Sequence, residues 1–152
     1  MRECKGLKFP GEHATIRNVE DILLIAADWK FRALVRAQLL EEGYSVKAVL
    51  SPEMAFLHLV RTGERPRLVI LDMQNMAIDA PRLMDLWRLT QQTPMILCCG
   101  ALDRTELKQA DLPPVQMMWR PFRVGDLIQE VQKVIRCRQD DPIGDSYSSA
   151  LG

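Results

Sequence analysis

Three uninterrupted apolar runs constrain this chain most: "DILLIA" at 21–26, "RLVIL" at 67–71 and "PMILCC" at 94–99. A strand with one wet face alternates apolar and polar residues, so a run without polar interruption suits a strand covered on both faces. The segments between the runs supply the cover, because they carry helical periodicity. "WKFRALVRAQLLEEG" (29–43) puts Phe31, Leu34, Val35 and Leu39 on one helical face and stops at Gly43. "SPEMAFLHLVRTG" (51–63) opens on Ser51 as N-cap, with Pro52 at the first helical position, and closes on Gly63. "DAPRLMDLWRLTQQ" (79–92) takes Asp79 as N-cap and lines up Leu83, Leu86 and Trp87. "DRTELKQA" (103–110) carries Asp103 and Glu106 close to capping-box spacing. "VGDLIQEVQKVIRCR" (124–138) repeats apolar residues at Leu127, Ile128, Val131, Val134 and Ile135. Two shorter strands complete the pattern: "YSVKAVL" (44–50), which alternates as an edge strand does, and "VQMMW" (115–119). Strict βα alternation predicts a doubly wound α/β fold over residues 21–138, with a parallel sheet and helices on both faces. Residues 1–20 read as an N-terminal extension and 139–152 as a disordered polar, acidic tail.

Composition narrows the function. The 152 residues are 47% hydrophobic, enough for the core of one domain. Twenty Lys and Arg balance twenty Asp and Glu, so no whole-chain charge draws it to nucleic acid or an anionic membrane. No apolar run approaches the roughly 18 residues of a membrane span, and the N-terminus lacks a signal peptide's apolar core. Cys4, Cys98, Cys99 and Cys137 form no disulfide framework. A cytoplasmic protein with reduced thiols is expected. His13 and His58 are the only histidines, which leaves little for a His-based metal or catalytic site; no Gly-rich phosphate loop follows the first strand, where "AADWKF" stands.

Open parallel sheets bind ligands outside the carboxyl ends of their strands. Those ends present Ala26-Ala27-Asp28, Asp72, Cys99-Gly100 and Arg120-Pro121-Phe122. Taken singly, each has a plainer reading. Asp72 suits a solvated strand cap, Cys98 and Cys99 suit small core residues, and Arg120 suits a surface ion pair. His58, among apolar helical neighbours, suits a boundary position.

Taken together, "EDILLIAADWKFRALVRAQLLEEGYSVKAV", "RLVILDM", "TPMILCCG" and "WRPF" resemble the receiver domain of two-component response regulators, over about residues 21–138. The resemblance implies a flavodoxin-like (βα)5 fold with strand order 2-1-3-4-5. It also implies phosphoryl transfer from a partner histidine kinase to an aspartate ending the third strand, here Asp72. In that family two acids after the first strand hold Mg²⁺, a Thr or Ser ends the fourth strand and a Lys ends the fifth. The chemistry needs these groups because an anionic carboxylate must attack an anionic phosphoryl group.

This chain departs at nearly every supporting position. With the register fixed on Arg32, the acidic pair aligns with Ala26 and Ala27, and Asp28 comes one residue later. Cys99, a weak donor, stands at the Thr/Ser position, and Arg120 replaces the Lys. The expected function is therefore an atypical, stand-alone receiver that binds another protein, with no catalysis of its own, no cofactor and no metal. Arg120 would reach across to Asp72 in a bidentate contact and hold the site in one state. The alternative is a working phosphoacceptor at Asp72, with Asp28 swinging in to help hold Mg²⁺. Partners would be a histidine kinase, a downstream target or a second copy docked through residues 103–138; no DNA-binding segment is recognised. Trp29, Met73 and Met76 make a docking patch if exposed together; of the two adjacent thiols Cys99 lies nearer the site and is the one an oxidation reading would use, against its main reading as a packed small residue.

Overall fold

The computed structural model describes residues 21–76, 78–100 and 112–140, the side chains of 138–140 excepted. Five strands, β1 (Ile22–Ile25), β2 (Val46–Val49), β3 (Leu68–Asp72), β4 (Met95–Cys99) and β5 (Val115–Trp119), form one parallel sheet in the order β2-β1-β3-β4-β5. The described helices are α1 (Trp29–Glu41), α2 (Pro52–Thr62), α3 (Ala80–Leu89) and α4 (Val124–Asp140). The chain has the expected flavodoxin-like topology, with the alternating segment β2 at an edge. The extension at 1–20, the helix expected at 103–110 and residues 141–152 of the expected tail lie outside the described residues, whereas the tail's first two residues, Gln139 and Asp140, are helical and continue α4.

Strand periodicity divides the core into two layers. Leu23, Ile25, Val69, Leu71, Leu97 and Cys99 face α2 and α3, meeting Ala55, Leu59, Leu83 and Leu86. Ile22, Leu24, Leu68, Ile70, Ile96 and Cys98 face α1 and α4, meeting Val35, Leu39, Leu127 and Val131. The uninterrupted apolar runs are thus explained: every side chain of β1, β3 and β4 is buried on one side or the other. Among the described residues no helix is long and apolar enough to cross a membrane.

The helix ends follow their sequence signals. Ser51 Oγ accepts from Met54 N at 3.2 Å, and Asp79 Oδ1 accepts from Arg82 N at 3.0 Å. Gly63 closes α2 at φ 68°, a left-handed conformation that costs glycine nothing. One helical expectation fails: Leu34 is exposed. The buried stripe of α1 runs through Val35 and Leu39, flanked by the partly buried Phe31, and Leu34 lies about 100° around the helix from Val35.

Candidate functional site

Asp72 is the last residue of β3 and pairs in register with Cys98. It follows Leu68 and Ile70 on the α1/α4 face, so the carboxylate ends a buried column instead of reaching water; its exposure is 0%. Oδ1 accepts from Gln74 N at 3.1 Å and from Arg120 Nη2 at 2.8 Å. Oδ2 has no partner, nor has Arg120 Nη1, and both atoms are buried. The contact is therefore one-sided, not the bidentate pair expected. The guanidinium also lies 5.2 Å from the ring centre of Phe31 and 5.4 Å from that of Phe122. Those two rings meet edge to face at 6.4 Å, and a cation held over two rings cannot turn freely to present its fork. Burial raises the Asp72 carboxyl above its ordinary 3.8; the Gln74 N–H and Arg120 oppose that, and Asp28 adds to it.

The metal positions are differently occupied. Ala26 is fully buried and continues the apolar column of Ile22 and Leu24. Arg32 Nη1 donates to Ala26 O at 2.7 Å and to Ala27 O at 3.3 Å, so a fixed cation uses the backbone oxygens of this loop. Asp28 is the N-cap of α1, its Oδ1 accepting from Lys30 N at 3.2 Å. The residues present do not fit Mg²⁺. Two alanines offer it no carboxylate oxygen, Asp28 is engaged in capping, and a guanidinium already neutralises Asp72. Among the described residues no group of three or more His, Cys, Asp or Glu could hold a metal ion.

Cys99 lies elsewhere than the oxidation reading needs. It is buried in the α2/α3 layer with Leu71 and Met73, and its carbonyl accepts from Arg120 N at 2.8 Å, which extends the ladder to the arginine. The thiol sharing a face with Asp72 is Cys98. Burial first and the Asp72 charge second push it up to about 12, against the pull of Arg120, so it is inert as a nucleophile. The proposed Trp29–Met73–Met76 patch does not form: Trp29 is 64% exposed, but Met73 is buried and Met76 packs against the core. The turn after Asp72, closed by Met76 N donating to Met73 O at 3.2 Å, aims those methionines inward; Asn75 takes its left-handed position at φ 60°. His58 sits half-buried, 3.3 Å from Glu64. Sequence reasoning missed the Phe31–Phe122 clamp and the Arg32 contacts; "RPF" and "KFR" contain them, but only folding brings the two stretches together.

No protein-family model matches the chain, and no curated protein does. Solved structures match clearly. The receiver domain of NtrX from Brucella abortus superposes with a TM-score of 0.63 at 22% identity, over 76% of this chain and 98% of that domain. A longer NtrX structure gives 0.60 at 20% identity, and there the match spans only 28% of the NtrX chain. The chemotaxis response regulator CheY4 of Vibrio cholerae gives 0.61 at 17% identity, over 77% of this chain and 99% of that one. At these identities the likeness establishes the fold: the chain has the architecture of response regulator receiver domains.

Proposed function

We propose that this receiver-fold chain is a signalling module that works by binding other proteins, in which Asp72 is held by Arg120 and is not phosphorylated with the help of Mg²⁺. The observation that carries the reading is the 2.8 Å contact from Arg120 to an Asp72 that is 0% exposed. A phosphodonor must reach a carboxylate oxygen along its line of attack. Here the one oxygen is bonded twice, and both are shut from solvent. Loss of the acidic pair at Ala26 and Ala27 removes the charge compensation the transfer needs. In the proposed role residues 21–138 act as one domain, without catalysis of their own, and the partner is a histidine kinase or a downstream signalling protein. Arg120, the Phe31–Phe122 clamp and the Cys99 carbonyl fix the strand ends in one arrangement, and a partner would read that arrangement constantly.

Titration with Mg²⁺, alone and then with beryllofluoride as a phosphoryl mimic, tests this through tryptophan fluorescence. Trp29 and Trp119 stand close to the site in sequence, beside Asp28 and Arg120. The expected result is no saturable change at millimolar Mg²⁺ with either addition. A saturable change that disappears in Asp72→Asn overturns the reading and makes Asp72 a phosphoacceptor with Asp28 recruited to the metal. The free Oδ2 of Asp72, and the influence of Asp28 on that carboxyl, are what favour this second reading.

A further inference from the structure

Helix α2 is apolar on both sides. Ala55 and Leu59 are buried against the sheet. Directly opposite them, centred on Leu57, lie Met54, Leu57 and Val60, which are between 45% and 67% exposed, and the exposed Leu50 precedes the helix. Single exposed apolar residues are ordinary, but three on one helical face, pointing away from the core, mark a contact surface. A groove of about 570 Å³ runs along this stripe toward the edge strand β2, lined by Lys47, Val49, Met54, Leu57 and Arg61.

We infer that this face pairs with the α2 of a second copy of the chain, antiparallel, about a two-fold axis at Leu57. The order of residues along α2 is symmetric about Leu57. Met54 and Val60 stand three positions to either side of Leu57, and Glu53 and Arg61 stand four. A two-fold contact is isologous, so each residue meets its mirror position on the other copy. Leu57 then meets Leu57, Met54 meets Val60, and Glu53 meets Arg61 twice, at the two ends of the apolar strip. Glu53 is exposed and its present neighbour Arg82 lies 3.6 Å away, an exposed pair that costs little to exchange. In a parallel pairing like charges would meet at each end, so the same sequence selects the antiparallel sense. Eleven residues of helix are about 16 Å long, which puts the contact at the small, weak end of interface sizes. The inference does not depend on the state of Asp72.

Sedimentation velocity of the full chain from about 10 to about 500 µM tests it, a range suited to a small interface. The wild type is expected to shift from monomer to dimer. Leu57→Glu should abolish the shift, and Glu53→Arg or Arg61→Glu alone should weaken it about tenfold by opposing like charges. Glu53→Arg/Arg61→Glu together should restore it, although this double change suits the helix dipole of α2 worst. Circular dichroism of each variant confirms that it is folded. A wild type that stays monomeric overturns the inference. So does a dimer indifferent to Leu57→Glu, whose contact must lie elsewhere, residues 103–138 included. A dimer that both single swaps weaken and the double swap fails to restore rules out the antiparallel pairing.

Discussion

Asp72 carries its charge fully buried, with a cation on one of its two oxygens. Arg120 is about a quarter exposed, yet removing it leaves the carboxylate uncompensated. Arg120→Ala should destabilise the protein by about 2–4 kcal/mol, and Arg120→Lys by less, since an ammonium keeps charge but loses much of the stacking on Phe31 and Phe122. Urea denaturation measures both, and no change in Arg120→Ala would mean the contact holds nothing. Burial raises the Asp72 carboxyl in the fold, so between its unfolded and folded values the native state binds the extra proton. Stability from this group is therefore full below the unfolded value and is lost as pH rises through the folded one. Asp72→Asn has no such charge. The stability of this variant relative to wild type should be highest at neutral pH and should narrow as pH falls toward about 4; a difference independent of pH would show that Asp72 does not titrate in this way. From sequence, Asp72 and Arg120 were legible as strand-end residues, and so was their approach. The one-sided geometry was not, because it depends on where two rings from distant segments trap the guanidinium.

Helix starts and stops in this chain are local, and the elements obey them. Ser51, Asp79 and Gly63 perform the capping their positions announce. Asp28 is the instructive element-scale residue, since the same carboxylate suits a metal or a cap. The structure gives it to Lys30 N. Asp28→Ala should cost about 1 kcal/mol, while Asp28→Ser, which keeps a cap and removes the charge, should cost no more than about 0.5 kcal/mol. Equal losses in the two variants, read from denaturation midpoints, would show that the negative charge and not the cap is what matters. The exposed position of Leu34 and the inward turn of Met73 and Met76 show where periodicity falls short. A helical stripe several residues wide does not say which edge meets the sheet, and a turn's handedness decides which way its side chains fall.

At the scale of the molecule, two apolar layers on one parallel sheet bring the strand ends together along one rim. A receiver that switches needs a ligand that favours one of two arrangements of that rim. With Arg32 on the Ala26 and Ala27 carbonyls and Arg120 on Asp72, the positive charge is built into the chain, so the absence of response expected with Mg²⁺ and beryllofluoride follows from the same cause. The sequence alone determined the succession of the described strands and helices along the chain, the parallel sheet and the place of Asp72 at a strand tip, because apolar periodicity and capping act within a few residues of themselves. The tertiary structure alone decided that Cys98 and not Cys99 shares the face of Asp72, that Arg120 is clamped by Phe31 and Phe122, and that α2 keeps a second apolar face toward solvent. Each of these turns on which side of the sheet a residue takes and what distant segment packs there, and long-range packing sets that.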